Sequence, residues 1–189
     1  MSSIGVPSLL EQLKEDWVAN GRDWTRPGFR AVAIHRFGVW LQGRQSWLWR
    51  VFLLRALLWR LYRLLYRFVR NHYGIELYYT TSIGRRFVIG HQGGIVIHPK
   101  AFIGDDCVIR QNVTIGALSL NRKEGPRLGN RVEVGCGAAI LGKICIGDDV
   151  RIGPNAVVMS NVAAGLTVFV APPRLISLHK ATEVAPLSR

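Results

Sequence analysis

The sequence predicts a mainly β protein, a solenoid of short stacked strands preceded by a helical segment. Two observations carry this. An aliphatic residue returns at every sixth position over most of the stretch from Ile83 to Val158, and a leucine- and arginine-rich stretch with helical periodicity comes before it. Leu128, Val134, Ile140, Ile146, Ile152 and Val158 keep one strict count, and Ile97, Ile103, Ile109 and Ile115 keep it earlier. Four places after each aliphatic stands another residue fit for a tight interior: Val132, Ala138, Ile144, Val150, Ala156 and Val162 late, Ala101, Cys107, Val113 and Ser119 early. A period of six matches neither the helix nor simple strand alternation. It suits short strands joined by sharp corners, with coils stacked so that each buries its neighbour's face. Gly104-Asp105, Gly129-Asn130, Gly147-Asp148 and Pro154-Asn155 are predicted as corners that need left-handed backbone angles.

Taken in order, residues 1–45 read as a helical lead-in, with Ser8 and Glu11 spaced as a capping box ahead of Leu13 and Trp17. Arg26-Pro27-Gly28 marks a break. From Ser46 to Arg70 the chain carries six arginines and no acid. At 100° per residue Leu53, Leu54, Leu57, Leu58, Leu61, Leu64, Leu65 and Phe68 share one face, while Arg55, Arg60, Arg63, Arg67 and Arg70 lie largely opposite. Six charges are too costly to thread through a bilayer. Two uses of this helix stay open. Its leucine face packs on the solenoid or on other subunits, or it lies in an anionic membrane interface with Trp47, Trp49, Trp59, Tyr62 and Tyr66 at headgroup depth. Asn71 to Gly74 ends the helix and Ile75 enters the repeat, which fades after Val158 and closes at Pro172-Pro173-Arg174. The expected division is a basic helical segment over 1–74, the solenoid over 75–176 and a tail over 177–189.

Composition bounds the rest. With 189 residues and 49% hydrophobic content, one globular unit with a modest appendage is expected. The start shows no basic segment followed by an apolar core, and no run of 18 uncharged apolar residues occurs, so a cytoplasmic protein is expected. In the membrane reading it sits at the inner face of the plasma membrane. Cys107, Cys136 and Cys145 lie within the repeat and read as small core or wall residues, not a disulfide framework. No metal site is expected, since the chain has no Cys-x-x-Cys and no tight histidine cluster. The net charge of +13 favours anionic partners. Nucleic acid is not expected among them, because no binding motif accompanies the charge.

The repeat is interrupted twice. Ile89 to Ile97 is a step of eight, which places two extra residues around His91-Gln92-Gly93-Gly94. Ile115 to Leu128 is a step of thirteen, so Ala117 to Arg127 cannot all lie in coils. An imidazole on the first bulge, walled by the second, is a sensible place to take a proton from a hydroxyl, because histidine titrates near neutrality.

The six-residue pattern resembles the hexapeptide-repeat acyltransferases, and that resemblance implies a left-handed parallel β-helix of triangular section. Phe87 to Ile97 resembles the segment of serine O-acetyltransferases that carries their catalytic histidine. Val113-Thr114-Ile115-Gly116, Gly135 to Gly142 and Ala171 to Arg174 resemble later landmarks. The resemblance implies that His91 is the general base, that acetyl-CoA is the co-substrate and that the active site lies between subunits of a homotrimer. It implies cofactor contacts at Gly116, Gly135, Cys136, Gly153 and Pro154, and a CoA phosphate at Arg174. Cys136 and Pro154 could equally be plain corner residues. Gln111 and Asn112 are candidates to face the cleft and bind the acceptor, and His98 is either a turn residue or an acceptor-contacting group.

Four departures accompany the likeness. Gly90 stands where those enzymes have Asp, and His98-Pro99-Lys100 where they have Gly-Glu-Thr. Gly116-Ala117-Leu118-Ser119 replaces Gly-Gly-Thr-Gly, and Glu124-Gly125-Pro126 replaces an Arg-His-Pro that carries a second histidine. The lost positions hold the amino-acid acceptor, so the pattern looks more like the colanic-acid-type exopolysaccharide O-acetyltransferases. A saccharide acceptor is therefore the first expectation, serine the second and a non-catalytic trimeric scaffold the third. The zinc-dependent carbonic-anhydrase branch of this fold fails, because its three histidines are missing.

Overall fold

The computed structural model describes residues 8–43, 52–119, 124–172 and 174. The six-residue count becomes a parallel β-solenoid of about four turns, the β-helix expected, capped by helices. Among the described residues fourteen strands, β1 (Ile75–Leu77) to β14 (Thr167–Val168), form three walls. One wall runs β1, β4 (Ile95–Ile97), β7 (Thr114–Gly116), β10 (Ala139–Leu141) and β13 (Val157–Val158). The second runs β2 (Ser82–Ile83), β5 (Phe102–Ile103), β8 (Arg127–Leu128) and β11 (Cys145–Ile146), and the third β3 (Val88–Ile89), β6 (Val108–Ile109), β9 (Glu133–Val134), β12 (Arg151–Ile152) and β14, every neighbour parallel. Each strand is only two or three residues long; most direct one aliphatic inward, while β1 directs Ile75 and Leu77 and β4 directs Ile95 and Ile97. Those side chains stack in files: Leu77, Ile97, Ile115, Ile140 and Val158 in the first wall, Ile89, Ile109, Val134 and Ile152 in the third. They form one continuous core that also takes in Ala31 and Val32 of the lead-in.

The register records the interruptions. Leu128 pairs with Ile146 and Val134 with Ile152, an uninterrupted coil of three six-residue steps. Ile89 pairs with Ile109, two residues further, and Ile103 with Leu128, seven further. All the surplus falls at corners. The repeat also runs on past Val158. Val162 bridges to Ile146, and Val168 in β14 pairs with Ile152 (Thr167 is its outward neighbour), so the last coil is two residues short. Ala117 to Ser119 leave the coil, and Arg127 already belongs to β8 (Arg127–Leu128).

The corners between the second and third walls correct the expected use of glycine. Gly84, Gly104, Gly129 and Gly147 are not left-handed; the left-handed residues are Arg86, Asp106, Arg131 and Asp149, two places on. Glycine is needed there because the coils nearly touch: a Cβ at Gly104 would lie 2.5 Å from the Gly129 carbonyl oxygen. The intervening side chains tie one coil to the next. Asp105 Oδ1 accepts from the Arg85 N–H at 2.8 Å, Asn130 Oδ1 from Asp105 at 2.9 Å, and Asp148 Oδ1 from Asn130 at 2.8 Å. Of the expected corners, only Pro154-Asn155 carries its left-handed angle at the second residue.

The lead-in is two helices and the long amphipathic one. Helix α1 (Leu9–Ala19) starts on the capping box, with Ser8 Oγ accepting from Glu11 N–H at 3.3 Å and Glu11 accepting from Ser8 N–H at 2.7 Å. Helix α2 (Pro27–Gly43) begins at the break, since Pro has no N–H to lose in a first turn. Its buried residues Gly28, Ala31, Val32, His35, Gly38 and Leu41 recur at three- and four-residue spacing and face the first coil. Helix α3 (Phe52–Phe68) passes into one π-turn (Val69–Tyr73) before Ile75.

The aromatic face of α3 is turned inward, contrary to its placement at headgroup depth. Tyr62 is buried and touches Trp59, Tyr66 and Tyr79, and Leu41 of α2 belongs to the same cluster. Leu53, Leu57, Leu61, Leu64 and Phe68 are exposed, so the leucine face does not pack on the solenoid either. Trp47 and Trp49 lie outside the described residues. Among the described residues no helix is long and apolar enough to cross a membrane. The cysteines are all free, but they differ: Cys107 is buried, Cys136 half-buried and Cys145 exposed on the outer side of β11 (Cys145–Ile146).

Candidate active site

One edge of the solenoid, where the third wall turns into the first, gathers most of the expected site. Going down the stack, successive coils place there Gly90-His91-Gln92, then Arg110-Gln111-Asn112, then Gly135-Cys136-Gly137, then Gly153-Pro154-Asn155. Backbone bonds lock the ladder: Gly90 N–H donates to Ile109 O at 2.9 Å, Asn112 to Gly93 at 2.8 Å, Gly137 to Gln111 at 3.0 Å and Asn155 to Cys136 at 2.9 Å. Residues far apart in sequence therefore share one edge, because each coil returns the chain to the same corner.

His91 is exposed on the bulge of the first coil, and among the described residues its ring carries no hydrogen bond. It opens onto a cavity of about 380 Å³, which it lines with Gln92, Gly90 and the start of α2 at Arg26, Pro27 and Gly28. Helix α2 can come this close because residue 28 is glycine; a Cβ there would run into the Ile89 carbonyl and approach the Ile89 Cβ to 2.9 Å. The lead-in is thus a wall of the cavity, a role that its sequence did not reveal.

Below His91, Asn112 holds a left-handed corner (φ 59°) with its side chain over Gly94. Gln111 is half-buried, and its Oε1 is buried with no hydrogen-bond partner among the described residues. Further down, Gly135, Cys136, Gly153 and Pro154 line a groove of about 350 Å³ with Arg110, Arg151 and Phe169. The two arginines and the phenyl ring had no periodic signal of their own. They stand at exposed positions of the third wall and come together only through the stacking.

Three expected residues lie elsewhere. Gly116 ends β7 (Thr114–Gly116) at the next edge, where the first wall turns into the second. His98 stands directly above it and donates its backbone N–H to Ile115 O at 2.8 Å. The His98 ring accepts at Nδ1 from the Lys100 N–H at 3.2 Å, which leaves the proton of the neutral ring on Nε2. Gly125 packs close against it, and Lys143 Nζ lies 2.6 Å from Glu124 Oε2. The first wall separates His98 from His91 within one protomer. Arg174 is exposed at the end of the described residues. Among those residues no cluster of three His, Cys, Asp or Glu side chains could hold a metal.

The other two histidines among the described residues, His35 and His72, are not in the site. His35 is buried in α2 with Nε2–H donating to Thr81 O at 2.9 Å, and burial pushes its imidazole down to about 4. His72 is exposed, with Nδ1 3.1 Å from Phe68 O.

Comparison with known proteins agrees with the fold. A family described as bacterial transferase hexapeptide (six repeats) matches residues 125–160. A serine acetyltransferase of Helicobacter pylori is 39% identical over 148 residues, covering 76% of this chain and 79% of its own. The chain belongs to the serine acetyltransferase family. Its membership makes it an acyltransferase of a family that uses acetyl-CoA. The aligned stretch is longer than the chain from Ile75 to its end, so the family likeness reaches into the helical lead-in. A solved serine acetyltransferase, isoform 3 from Entamoeba histolytica in complex with cysteine, superposes with a TM-score of 0.74 at 31% identity. It matches 90% of this chain, which spans 62% of that one. A putative colanic acid biosynthesis acetyltransferase of Escherichia coli is 40% identical, but over 83 residues, 43% of this chain and 51% of its own.

Proposed function

We propose that this family member is a serine O-acetyltransferase that moves the acetyl group of acetyl-CoA to the hydroxyl of L-serine, with His91 as general base. The observation that carries the reading is the length of the likeness. Similarity to serine acetyltransferases extends over the solenoid and into the lead-in that walls the His91 cavity, whereas the exopolysaccharide-type likeness covers less than half the chain. This reverses the order of acceptors expected from the loop motifs alone.

The chemistry needs few groups. The neutral His91 ring takes the proton of the acceptor hydroxyl as its oxygen attacks the thioester carbonyl. The C–S bond then breaks, the acetyl ester stays on the acceptor, and the proton returns to the departing CoA sulfur. Gly135, Cys136, Gly153 and Pro154 offer a strip of small side chains and backbone along which a pantetheine arm fits, and Arg110 and Arg151 bring positive charge to that groove for phosphates. Gln111 stands at the same edge one coil below His91, half-buried, as a candidate to meet the acceptor. With Asp replaced by Gly90, no carboxylate from the preceding position orients the imidazole, and the α2 start and Gln92 are left to do so. A homotrimer suits the outer face of the first wall, where Val96 and Val157 are exposed and Ala139 and Thr114 half-exposed between them.

One feature favours a saccharide acceptor instead: Glu124-Gly125-Pro126 lacks the second histidine that meets the amino acid in the resembled enzymes. Free thiol release from acetyl-CoA separates the two. Saturable release with L-serine, reduced on the order of 10² to 10⁴-fold in His91→Ala with the circular dichroism unchanged, is the expected result. Release with sugar acceptors and none with L-serine would overturn the proposal.

A further inference from the structure

We infer that the outer face of α3 is a docking surface for a bilayer containing anionic phospholipid, with the leucine stripe in the acyl boundary and the arginine edge on lipid phosphates. Such docking is independent of the identity of the acceptor.

The helix has three faces. Leu58, Tyr62 and Val69 hold it to the protein, with Tyr62 and Val69 fully buried, so the helix cannot roll to hide its other sides. Leu53, Leu57, Leu61, Leu64 and Phe68 fall within about 80° of one another at 100° per residue. They stand outward, Leu53 81%, Leu57 62% and Leu64 63% exposed. Contiguous bulky apolar surface of this kind on a charged protein marks an interaction site. Arg60 and Arg67 border the stripe on the side away from the protein body. Arg60 also lines, with Arg55 and Arg63, a cavity of about 430 Å³ together with Trp59, Tyr66 and Tyr79. Burial pushes the Tyr66 and Tyr79 phenols up, so both keep their protons and can donate.

Charge decides the occupant. From residue 52 to residue 73 there are five arginines and no carboxylate. A second copy meeting this face across a two-fold axis would bring the same acid-free helix and set Arg60 and Arg67 against their own counterparts. An anionic bilayer instead supplies phosphates for the arginine edge and hydrocarbon for the leucines, the arrangement of an interfacial helix. The arginine stems are long enough to carry their heads from the stripe's edge to headgroup depth.

Flotation of the full-length protein with phosphatidylcholine vesicles, and with vesicles containing about 30% phosphatidylglycerol, tests this at about 0.15 M salt, where exposed charges are screened beyond about 8 Å. The protein should float with the anionic vesicles only. The double variant Leu57→Glu/Leu64→Glu should lose at least about tenfold in partition, and Arg60→Gln/Arg67→Gln about fivefold per arginine, both with unchanged circular dichroism. No flotation with anionic vesicles, or flotation that survives the leucine substitutions, overturns the proposal. So does a wild type that ignores vesicles but falls to a smaller oligomer, by sedimentation, when the leucines are replaced, since that would make a second copy the occupant.

Discussion

Replacing Asp16 by Ala should be among the most damaging single changes outside the core. Asp16 and Arg36 form an ion pair, Nε to Oδ2 2.8 Å, with side chains only 1% and 6% exposed. The carboxylate also accepts from the Phe87 N–H at 3.3 Å, and the guanidinium donates to the carbonyls of Ile83 (3.0 Å) and Gly84. Asn20 adds a bond from Nδ2 to Phe87 O at 3.1 Å. These bonds tie α1 and α2 to the first corner of the first coil. Removing one partner of a buried pair leaves the other charge uncompensated and costs about 3–5 kcal/mol. Against a typical total of about 5–15 kcal/mol this is large. At about 2–4 °C per kcal/mol for a chain of this size, the midpoint should fall by roughly 6 to 20 °C. Urea unfolding followed by circular dichroism measures it, with the slope unchanged. Asp16→Ala/Arg36→Met, which removes both charges, should recover more than half of the loss. A single variant as stable as the wild type, or a double variant no better than the single, would refute the reasoning.

Other perturbations separate the remaining contributions. Arg131→Ala breaks an ion pair of similar geometry to Asp149 (2.6 Å), but both groups are half in water, so the same urea titration should show a midpoint barely shifted from the wild type. Ile140→Ala empties a fully buried position between Ile115 and Val158 and should cost about 2–5 kcal/mol. Gly28→Ala forces α2 off Ile89 and should cost about 1–3 kcal/mol. It should also lower kcat in steady-state assays, because the displaced helix walls the His91 cavity. His35 has its folded pKa depressed to about 4 from 6.5. Above pH 6.5 it is neutral in both states. As pH falls the unfolded chain binds a proton that the folded chain refuses, so stability drops between about 6.5 and 4, by about 3 kcal/mol in all. His35→Gln should flatten that part of the stability–pH curve measured by thermal melts.

Much of this architecture was legible because a solenoid writes its core into a one-dimensional count. Ile140 is buried for the same reason that Val134 and Ile146 are, six places before and after it: each wall needs one inward aliphatic per strand. The two interruptions were legible as surplus residues, and the pairings of Ile89 and Ile103 put that surplus at corners. The orientation of α3 was not. Its periodicity defines a leucine face and an arginine face, but which side meets the protein depends on Tyr79, which enters from a corner of the first coil and packs on Trp59 and Tyr62. Nor was the Asp16–Arg36 pair visible, since residues twenty apart in two helices share no spacing rule. The corner glycines were found for the wrong reason: what excludes a side chain at Gly104 is the coil below it, a distance between turns and not a dihedral preference.

The same geometry explains how chemistry can vary on this scaffold without disturbing it. The His91 edge is built from corner residues, and insertions at corners change neither the inward files nor the pairing of neighbouring strands. The two residues added before Ile97 lift His91 out of the coil, while Ile89 and Ile97 keep their places over Ile109 and Ile115. Nothing inside the solenoid fixes the direction of that bulge. In this chain the neighbour best placed to do so is α2, whose Gly28 lies on Ile89 and whose first turn shares the His91 cavity. The Asp16–Arg36 clamp holds α2 there. The lead-in therefore belongs to the His91 edge as much as to the fold. Loosening the clamp should lower kcat even at temperatures where the protein stays folded, and Asp16→Asn assayed well below its melting temperature reads that effect.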